Sequence, residues 1–409
     1  MTAWLDIIGF GEGDPLPALP HGRTIIGPSR AIERLSRAPL PLEGRGGGGG
    51  GPHALNLEPW RSLKLDAMIA QTLEHRGTPT VLLASGDPLW FGFGATLSRH
   101  LTADEYRVTP HASSFQFAAA RMRWPLQHVT TLSLHARPAE LVHPHVAPGN
   151  RILALTTDAT TAPHVARLLV ERGYDRSVLT VLEHLGGPGE RIQSAEAQGF
   201  ALPIGDFYVL AIDCAASPGA PLLSTVPGLP DDAFVSDGQL TKREIRAVTL
   251  SKLAPYPSAL LWDVGAGCGS IGIEWMRAAR DAHAIAFERE GERLQMIAVN
   301  ADRLGVPTLR IENGDAPDSL VGMPTPDAIF LGGGVSNETL FHLCWTALRS
   351  GGRLVANAVT IDGEQALLAR QSRLGGELAR LDVAVLDQLG DHLAFRPRLP
   401  VTQWAVTKP

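Results

Sequence analysis

Leu260-Leu-Trp-Asp-Val-Gly-Ala-Gly-Cys-Gly-Ser-Ile-Gly-Ile-Glu-Trp-Met276 is the stretch on which the reading of this 409-residue chain turns. An apolar run ends in Asp263, a glycine-rich turn follows, and an amphipathic helix opens at Ser270. Strand, glycine turn and helix in that order bring backbone N–H groups and a helix N-terminus up to a ligand, which is how open α/β sheets hold nucleotide-like cofactors. Because the stretch starts so late, the first half must carry something else. The length favours two or three domains.

Working outward, β and α alternate from Thr241 to the end. Strands are expected at 259–264, Ala284–Glu288, Ala328–Leu331 and Arg353–Val359, with a helix from 271. Leu294, Ile297, Ala298, Ala301 and Leu304 share one helical face, and Leu340, Leu343, Cys344 and Ala347 share another. The tail Val401–Val406 reads as a strand with no helix after it, which predicts an antiparallel edge. Residues 216–230 are rich in Pro and Gly and carry no periodicity, so they read as a linker. Ahead of them lies a second α/β alternation. Leu5–Ile8, Thr80–Ala84, Arg151–Thr156 and Tyr208–Ile212 read as strands; Ser114–Met122 and Pro163–Arg172 read as helices, the latter closed by Gly173. The expected division is 1–215, a linker at 216–230, and 231–409. Six consecutive glycines, Gly46 to Gly51, predict a mobile surface loop; no strand feeds them, which argues against a phosphate cradle.

Composition narrows the class. A hydrophobic fraction of 44% and a charged fraction of 19% are those of a soluble globular protein. A net charge of -6 argues against a nucleic-acid or membrane-surface partner. The three cysteines, Cys214, Cys268 and Cys344, form no CxxC pair and suggest neither a disulfide framework nor a zinc site. No run reaches the length of a membrane span, and the first residues lack a basic lead before an apolar run, so a cytoplasmic protein is expected. His143-Pro-His145 with His135 lacks supporting carboxylates, and no metal is expected.

Two cofactor readings compete at the glycine turn. A literal GxGxxG exists at Gly267, Gly269 and Gly272, so a dinucleotide site must be weighed. Glu288, closing the next strand, can accept ribose hydroxyls under either reading. Asp263 before the turn, the tight Gly265-x-Gly267-x-Gly269 spacing and Gly314-Asp-Ala-Pro317 downstream tilt the choice to S-adenosylmethionine. That cofactor has a ribose, an adenine and a sulfonium but no pyrophosphate, so nearby carboxylates suit it.

Phe234-Val-Ser-Asp-Gly-Gln-Leu-Thr-Lys-Arg-Glu-Ile-Arg246, Asp263-Val-Gly-Ala-Gly-Cys-Gly269, Ala286-Phe-Glu-Arg289, Gly314-Asp-Ala-Pro317, Pro326-Asp-Ala-Ile-Phe-Leu-Gly-Gly-Gly334 and Gly351-Gly-Arg-Leu-Val-Ala-Asn-Ala-Val359 resemble the decarboxylating precorrin methyltransferase domains of cobalamin biosynthesis. The resemblance spans nearly all of 231–409. It implies a Rossmann-like class I methyltransferase domain with an antiparallel edge strand. By position it implies cofactor contacts from Thr241, Gly265, Ala266, Gly267, Cys268, Gly269, Glu288 and Ala316, with Asp315 beside the adenine. Cys268 stands where that family commonly has Thr.

Ile7-Ile-Gly-Phe-Gly-Glu-Gly-Asp14, Ala84-Ser-Gly-Asp-Pro-Leu-Trp-Phe-Gly92, Thr109-Pro-His-Ala-Ser-Ser-Phe-Gln116 and Val181-Leu-Glu-His-Leu-Gly-Gly-Pro-Gly-Glu-Arg-Ile192 resemble the tetrapyrrole methylases. That family's two-lobed fold holds S-adenosylmethionine in a cleft. Gly86 lets the backbone approach a ligand, Pro88 fixes the turn, and Asp87 can hold polar cofactor atoms. Ser113 and Ser114 offer hydroxyls and helix N-terminal amides to the methionine carboxylate. His111 stands where the family usually has Gly, which is expected to reshape that turn.

Lys242, Arg243 and Arg246 fall on one helical face beside the expected cofactor turn, where a solvated basic face and a clamp for substrate carboxylates are both open readings. Glu183 and Glu190 read as structural. Together the two resemblances imply S-adenosylmethionine, one per domain, two methyl transfers to C5 and C15 of a reduced tetrapyrrole, precorrin-6B, and loss of the C12 acetate carboxyl to give precorrin-8X. A homo-oligomer is expected. A nicotinamide-dependent reductase of a corrin-pathway intermediate and a tetrapyrrole carrier are the alternatives, and cofactor titration separates them.

Overall fold

The computed structural model describes residues 3–13, 19, 23–37 and 56–409; the glycine run 46–51 and Asp14 lie outside these. The chain divides into two compact units, Met1–Arg137 with Pro148–Gly219, and Pro138–Ala147 with Ala220–Pro409.

The first unit carries β1 (Leu5–Phe10), β2 (Thr24–Gly27), α1 (Ser29–Arg37), β3 (Asn56–Pro59), α2 (Leu65–Leu73), β4 (Thr80–Ser85), α3 (Phe93–Leu97), β5 (Tyr106–Thr109), α4 (Ser114–Met122), β6 (Thr130–Ser133), β7 (Arg151–Leu155), α5 (Thr161–Glu171), β8 (Val178–Glu183), β9 (Arg191–Glu196) and β10 (Tyr208–Asp213). They form two sheets, ordered β3-β2-β4-β1-β5 and β6-β7-β10-β8-β9. All pairings in the first sheet are parallel. Its central strands β1 and β4 are apolar almost end to end, because apolar clusters cover both faces. In the second sheet β10 runs antiparallel to both β7 and β8. The incoming end of β10 therefore lies beside the outgoing ends of β7 and β8.

The second unit carries α6 (Arg243–Leu253), β11 (Leu260–Val264), α7 (Ser270–Ala278), β12 (His283–Glu288), α8 (Gly291–Arg303), β13 (Arg310–Asn313), β14 (Ala328–Leu331), α9 (Glu338–Ala347), β15 (Arg353–Ala358), α10 (Ile361–Leu374), β16 (Glu377–Leu381), β17 (Ala384–Leu389), β18 (His392–Pro397) and β19 (Val401–Thr407). The main sheet runs β13-β12-β11-β14-β15-β19-β16, and β17-β18 form a separate ribbon. Alternate residues of β11 enter opposite cores. Leu261 packs with Ile273, Trp275 and Phe330 on one face, and Trp262 with Ile285, Phe341 and Trp404 on the other. The strand order reverses between β11 and β14, and that is where a crevice opens beyond the strand ends.

Two expectations shift. The terminal strand β19 is antiparallel to β15, but β16 pairs with its far side, so the edge strand is β16. The segment 216–230 has almost no regular structure, yet its later part is pinned to the second unit: Leu229 is buried, Gly228 N and Leu229 N donate to Glu274, and Arg277 donates to the Leu223 and Ser224 carbonyls. The short 3-10 segment Ala139–His145 also packs in the second unit, beside Gly305, where a Cβ would run into Pro144. Burial, with the Arg277 guanidinium nearby, pushes the His145 imidazole down.

Candidate functional site

In the first unit a cavity of about 510 Å³ opens at the outgoing ends of β1, β4, β7 and β8 and the incoming end of β10. Its floor depends on glycine. A Cβ on Gly9 would stand 2.5 Å from Gly86 O and 2.7 Å from the His111 Cβ. Gly86 has φ +67°, and its N–H donates to Phe10 O at 2.8 Å. His111 fits its turn without a positive φ, and the absent side chain of Gly9 makes the room.

Gly86 and Ser114 line the cavity. Asp87 and Ser113 do not; both act one step back. Asp87 Oδ1 accepts from Leu89 N at 2.8 Å and Trp90 N at 3.0 Å, which closes the loop after β4. Ser113 is buried and heads α4 in a capping box, with the Gln116 side chain accepting from Ser113 N. The loop that Asp87 closes presents Phe91 to the cavity at φ +56°, packed edge-on against Phe115 at 5.7 Å. Sequence reasoning passed over Phe91, Arg30, Asp206 and Phe207, and weighed His135 only as a metal ligand, yet all five line the cavity. Phe91 lay inside a quoted motif. Asp206 and Phe207 gave no signal, because they precede a strand, where open α/β sheets do not usually place ligands.

In the second unit Gly265, Gly267 and Gly269 have φ of +74°, +59° and +81°. Gly265 N and Ala266 N both donate to Phe287 O, at 3.0 and 3.1 Å. A Cβ on Gly265 would lie 2.9 Å from Gly333 N, so the turns after β11 and β14 touch. Cys268 is buried, and burial raises its thiol, while Gly269 leads into α7. Glu288 is nearly buried and engaged on three sides: Oε2 accepts from Gly267 N at 2.8 Å, and Oε1 from Arg289 N at 2.9 Å and Glu290 N at 3.1 Å. Gly314 N donates to Glu288 O, and Asp315 is exposed opposite Arg289, with Ala316 half-buried next to it. Glycine turn, Glu288 and the 314–316 turn thus come together.

Asp263 orients the turn from below. Its Oδ2 accepts from Gly272 N at 2.8 Å, while Oδ1 is buried with no partner. Burial, with the charge of Glu288 adding to it, pushes the carboxyl up to about 7. The residues ahead of α6 cross over the turn: a Cβ on Gly267 would meet Gln239 O at 3.4 Å. That segment is held by Asn300, which is fully buried, and by Arg293, which bonds Asp237 and Gln239. Thr241 is half-buried, with its carbonyl accepting from Arg246.

The three basic residues part company. Arg246 is 0% exposed: its guanidinium pairs with Glu274 and Asp231, bonds the Thr241 and Leu229 carbonyls, and lies 4.8 Å over Phe234. It is a structural cross-brace, fully buried with four of its five N–H donors engaged, so it does not reach a substrate carboxylate as a clamp would. Lys242 Nζ reaches Gly238 O at 3.3 Å, and Arg243 is exposed with no ion pair among the described residues. Among the described residues no group of three or more His, Cys, Asp or Glu is arranged to hold a metal, and no helix is long and apolar enough to cross a membrane.

The chain's two parts match two family models: Tetrapyrrole (Corrin/Porphyrin) Methylases over residues 59–200 and Precorrin methyltransferase domain over 232–408. A precorrin-6Y C(5,15)-methyltransferase [decarboxylating] of Sinorhizobium sp is 44% identical over 416 aligned residues, covering 100% of this chain and 97% of that protein. A cobalt-precorrin-6B C(15)-methyltransferase (decarboxylating) of Salmonella typhimurium is 32% identical over 166 residues, covering 40% of this chain and 85% of that protein. The crystal structure of the C-terminal domain of precorrin-6Y C5,15-methyltransferase from Rhodobacter capsulatus is 41% identical, covers 46% of this chain and 100% of that one, and superposes with a TM-score of 0.44. With both family models in place and identity of 44% sustained from end to end, the chain belongs to the precorrin-6Y C(5,15)-methyltransferase (decarboxylating) family.

Proposed function

We propose that the chain methylates precorrin-6B at C5 and C15 with S-adenosylmethionine and removes the C12 acetate carboxyl as carbon dioxide, giving precorrin-8X in cobalamin biosynthesis. The observation that carries this is the pair of unrelated glycine-built ligand sites, one in each unit, in a chain that matches its family throughout. Each site takes one S-adenosylmethionine. In the second unit Thr241, the Gly265–Gly269 turn, Glu288, Asp315 and Ala316 hold it; in the first, Gly86 and Ser114 touch it, while Asp87 and Ser113 shape the wall behind.

Each transfer forms a carbon–carbon bond from an enamine-like meso carbon to the sulfonium methyl as the carbon–sulfur bond breaks and S-adenosylhomocysteine leaves. Positioning and exclusion of water supply most of the acceleration. Decarboxylation sends its electron pair into the conjugated ring made cationic by methylation of the neighbouring meso carbon, and it belongs to the second unit. Lys242 and Arg243 stand as carboxylate contacts there. The protein works in the cytoplasm.

Product mass tests the assignment. Glu288→Ala is expected to suppress both C15 methylation and the loss of 44 mass units at limiting cofactor. Asp87→Ala loosens the loop carrying Phe91 and is expected to block only the C5 transfer. The opposite pattern would place the chemistry in the wrong units. Titration of the intact chain with S-adenosylhomocysteine is expected to give about two sites, and tight NADPH binding instead would favour the reductase reading.

Self-association is the remaining part of the proposal, and the β17-β18 ribbon supports it. Leu386 faces Phe395 and Gln388 faces Leu393 across the ladder. Leu386, Leu393 and Phe395 are 52%, 66% and 72% exposed on that face, while the other carries the Asp387–Arg396 ion pair between Val385 and Leu389, themselves 38% and 59% exposed. A two-stranded ribbon that exposes this much apolar side chain is marginal in water and needs a cover. A second copy of the chain supplies it.

A further inference from the structure

Helix α1 sends two arginines, one turn apart, toward the first unit's cavity, and only one of them is employed by the fold. Arg34 bonds the Gly11 and Glu12 carbonyls at 3.2 and 2.9 Å and so fixes the turn after β1. Arg30 lines the cavity, is exposed, and has no ion pair among the described residues. Its guanidinium lies 4.7 Å over the Phe207 ring, and among the described residues its side chain makes one hydrogen bond, a long one of 3.3 Å to Ser85 Oγ. Phe207, 57% exposed, comes from the second sheet of this unit, just ahead of β10. An aromatic face thus orients a cation whose remaining donors have no hydrogen-bond partner among the described residues.

We propose that Arg30, steered by Phe207, grips one side-chain carboxylate of the tetrapyrrole at the mouth of this cavity and so sets which edge of the macrocycle meets the cofactor. This rests on the methyltransferase reading above. A cavity of about 510 Å³ is of the size that encloses one small ligand. With the cofactor inside, the larger macrocycle has to lie across the opening, where the exposed Arg30 and Phe207 stand. Corrin precursors carry acetates and propionates around the ring, so a planar donor fork over an aromatic ring matches both halves of the substrate: carboxylate to guanidinium, flat ring to flat ring. The other acidic and basic lining groups are already engaged. Glu12 faces His184 Nδ1 at 3.2 Å, His135 Nδ1 faces Thr156 O at 3.0 Å, and Asp206 accepts from Ala159 N at 3.1 Å.

The test is the steady-state C5 methylation of the intact chain, with Arg30→Ala, Arg30→Lys and Phe207→Leu. Arg30→Ala is expected to raise KM for the tetrapyrrole at least about tenfold while leaving the affinity for S-adenosylhomocysteine within about twofold. Arg30→Lys should recover part of that affinity at low salt and lose it at high salt, because a point charge lacks the stacked fork. Phe207→Leu should fall between them. The wild-type KM should climb with ionic strength and the Arg30→Ala KM should not, a difference that a merely structural role would leave absent. An unchanged KM overturns the proposal. So does a loss of S-adenosylhomocysteine affinity, which would mean that Arg30 holds the cofactor's own carboxylate. A wild-type chain that neither binds S-adenosylhomocysteine nor methylates the ring would overturn the underlying reading, and that outcome is separable because it appears before any variant is made.

Discussion

Replacing Glu288 with Ala will damage the second unit before any cofactor is added. The carboxylate accepts three backbone N–H groups, from Gly267, Arg289 and Glu290, at 2.8, 2.9 and 3.1 Å. The side chain is only 6% exposed, so water does not freely replace it. At about 1 kcal/mol for each orphaned donor, the loss is about 3 kcal/mol. For a unit of this size each kcal/mol moves the melting temperature by about 2–4 °C, so the expected drop is about 6–12 °C. Differential scanning calorimetry of the intact, cofactor-free chain reads it directly. Isothermal titration at a temperature where the variant is folded then reads the ligand term, expected to weaken S-adenosylhomocysteine at the second site by about ten- to a hundredfold. A variant melting within about 2 °C of wild type while losing that affinity would refute the reasoning. It would show the carboxylate to be a ligand group alone, with the three amides satisfied some other way.

Asp263 titrates near 7 in the fold and near 3.9 when unfolded, so the folded state holds the extra proton between those values and loses stability as pH rises through that window. Asp263→Asn removes the titration, and its melting temperature relative to wild type should improve by the equivalent of about 2–4 kcal/mol from pH 5 to pH 8; a pH-independent difference would count against the buried acid. Gly9→Ala puts a methyl 2.5 Å from the Gly86 carbonyl, which cannot swing aside. The expected cost is about 1–3 kcal/mol, with loss of ligand binding in the first unit only, read by calorimetry. Phe395→Asp places a charge on the apolar face of the β17-β18 ribbon, and analytical ultracentrifugation should find a smaller species; an unchanged assembly would move the interface elsewhere.

Many elements whose own residues report their burial were legible from sequence, though the buried β2 and β8 were not read as strands. Ser114–Met122 and Ala328–Leu331 appear with the expected bounds, and β11, β12, β14 and β15 of the second unit fall within a residue of expectation. Strands such as β6, whose residues are mostly half-buried, gave no period to read. The β17-β18 ribbon escaped for the same reason, since every residue of β17 is exposed. At the sites, spacing located the Gly265–Gly269 turn and Glu288, because a tight backbone leaves its mark as glycine. It could not separate a residue that lines the cavity from one set behind it, as Asp87 and Ser113 are. Nor could it see that Arg246 turns inward, since Lys242, Arg243 and Arg246 look alike until their partners are known.

Asn300 carries one further consequence. Its side-chain amide accepts from Val235 N at 2.8 Å and donates to Val235 O at 2.9 Å, and it also reaches Cys268 O at 3.0 Å. A single side chain therefore stands in for a neighbouring strand. Val235 lies in neither helix nor strand, yet its amide should exchange with deuterium as slowly as one in a sheet. The order of assembly follows as well: the residues leading into α6 cannot settle until α8 has docked and offered them Asn300. In pulse-labelling during refolding, the Val235 amide should acquire protection together with α8, well after the local turns around it have had time to form.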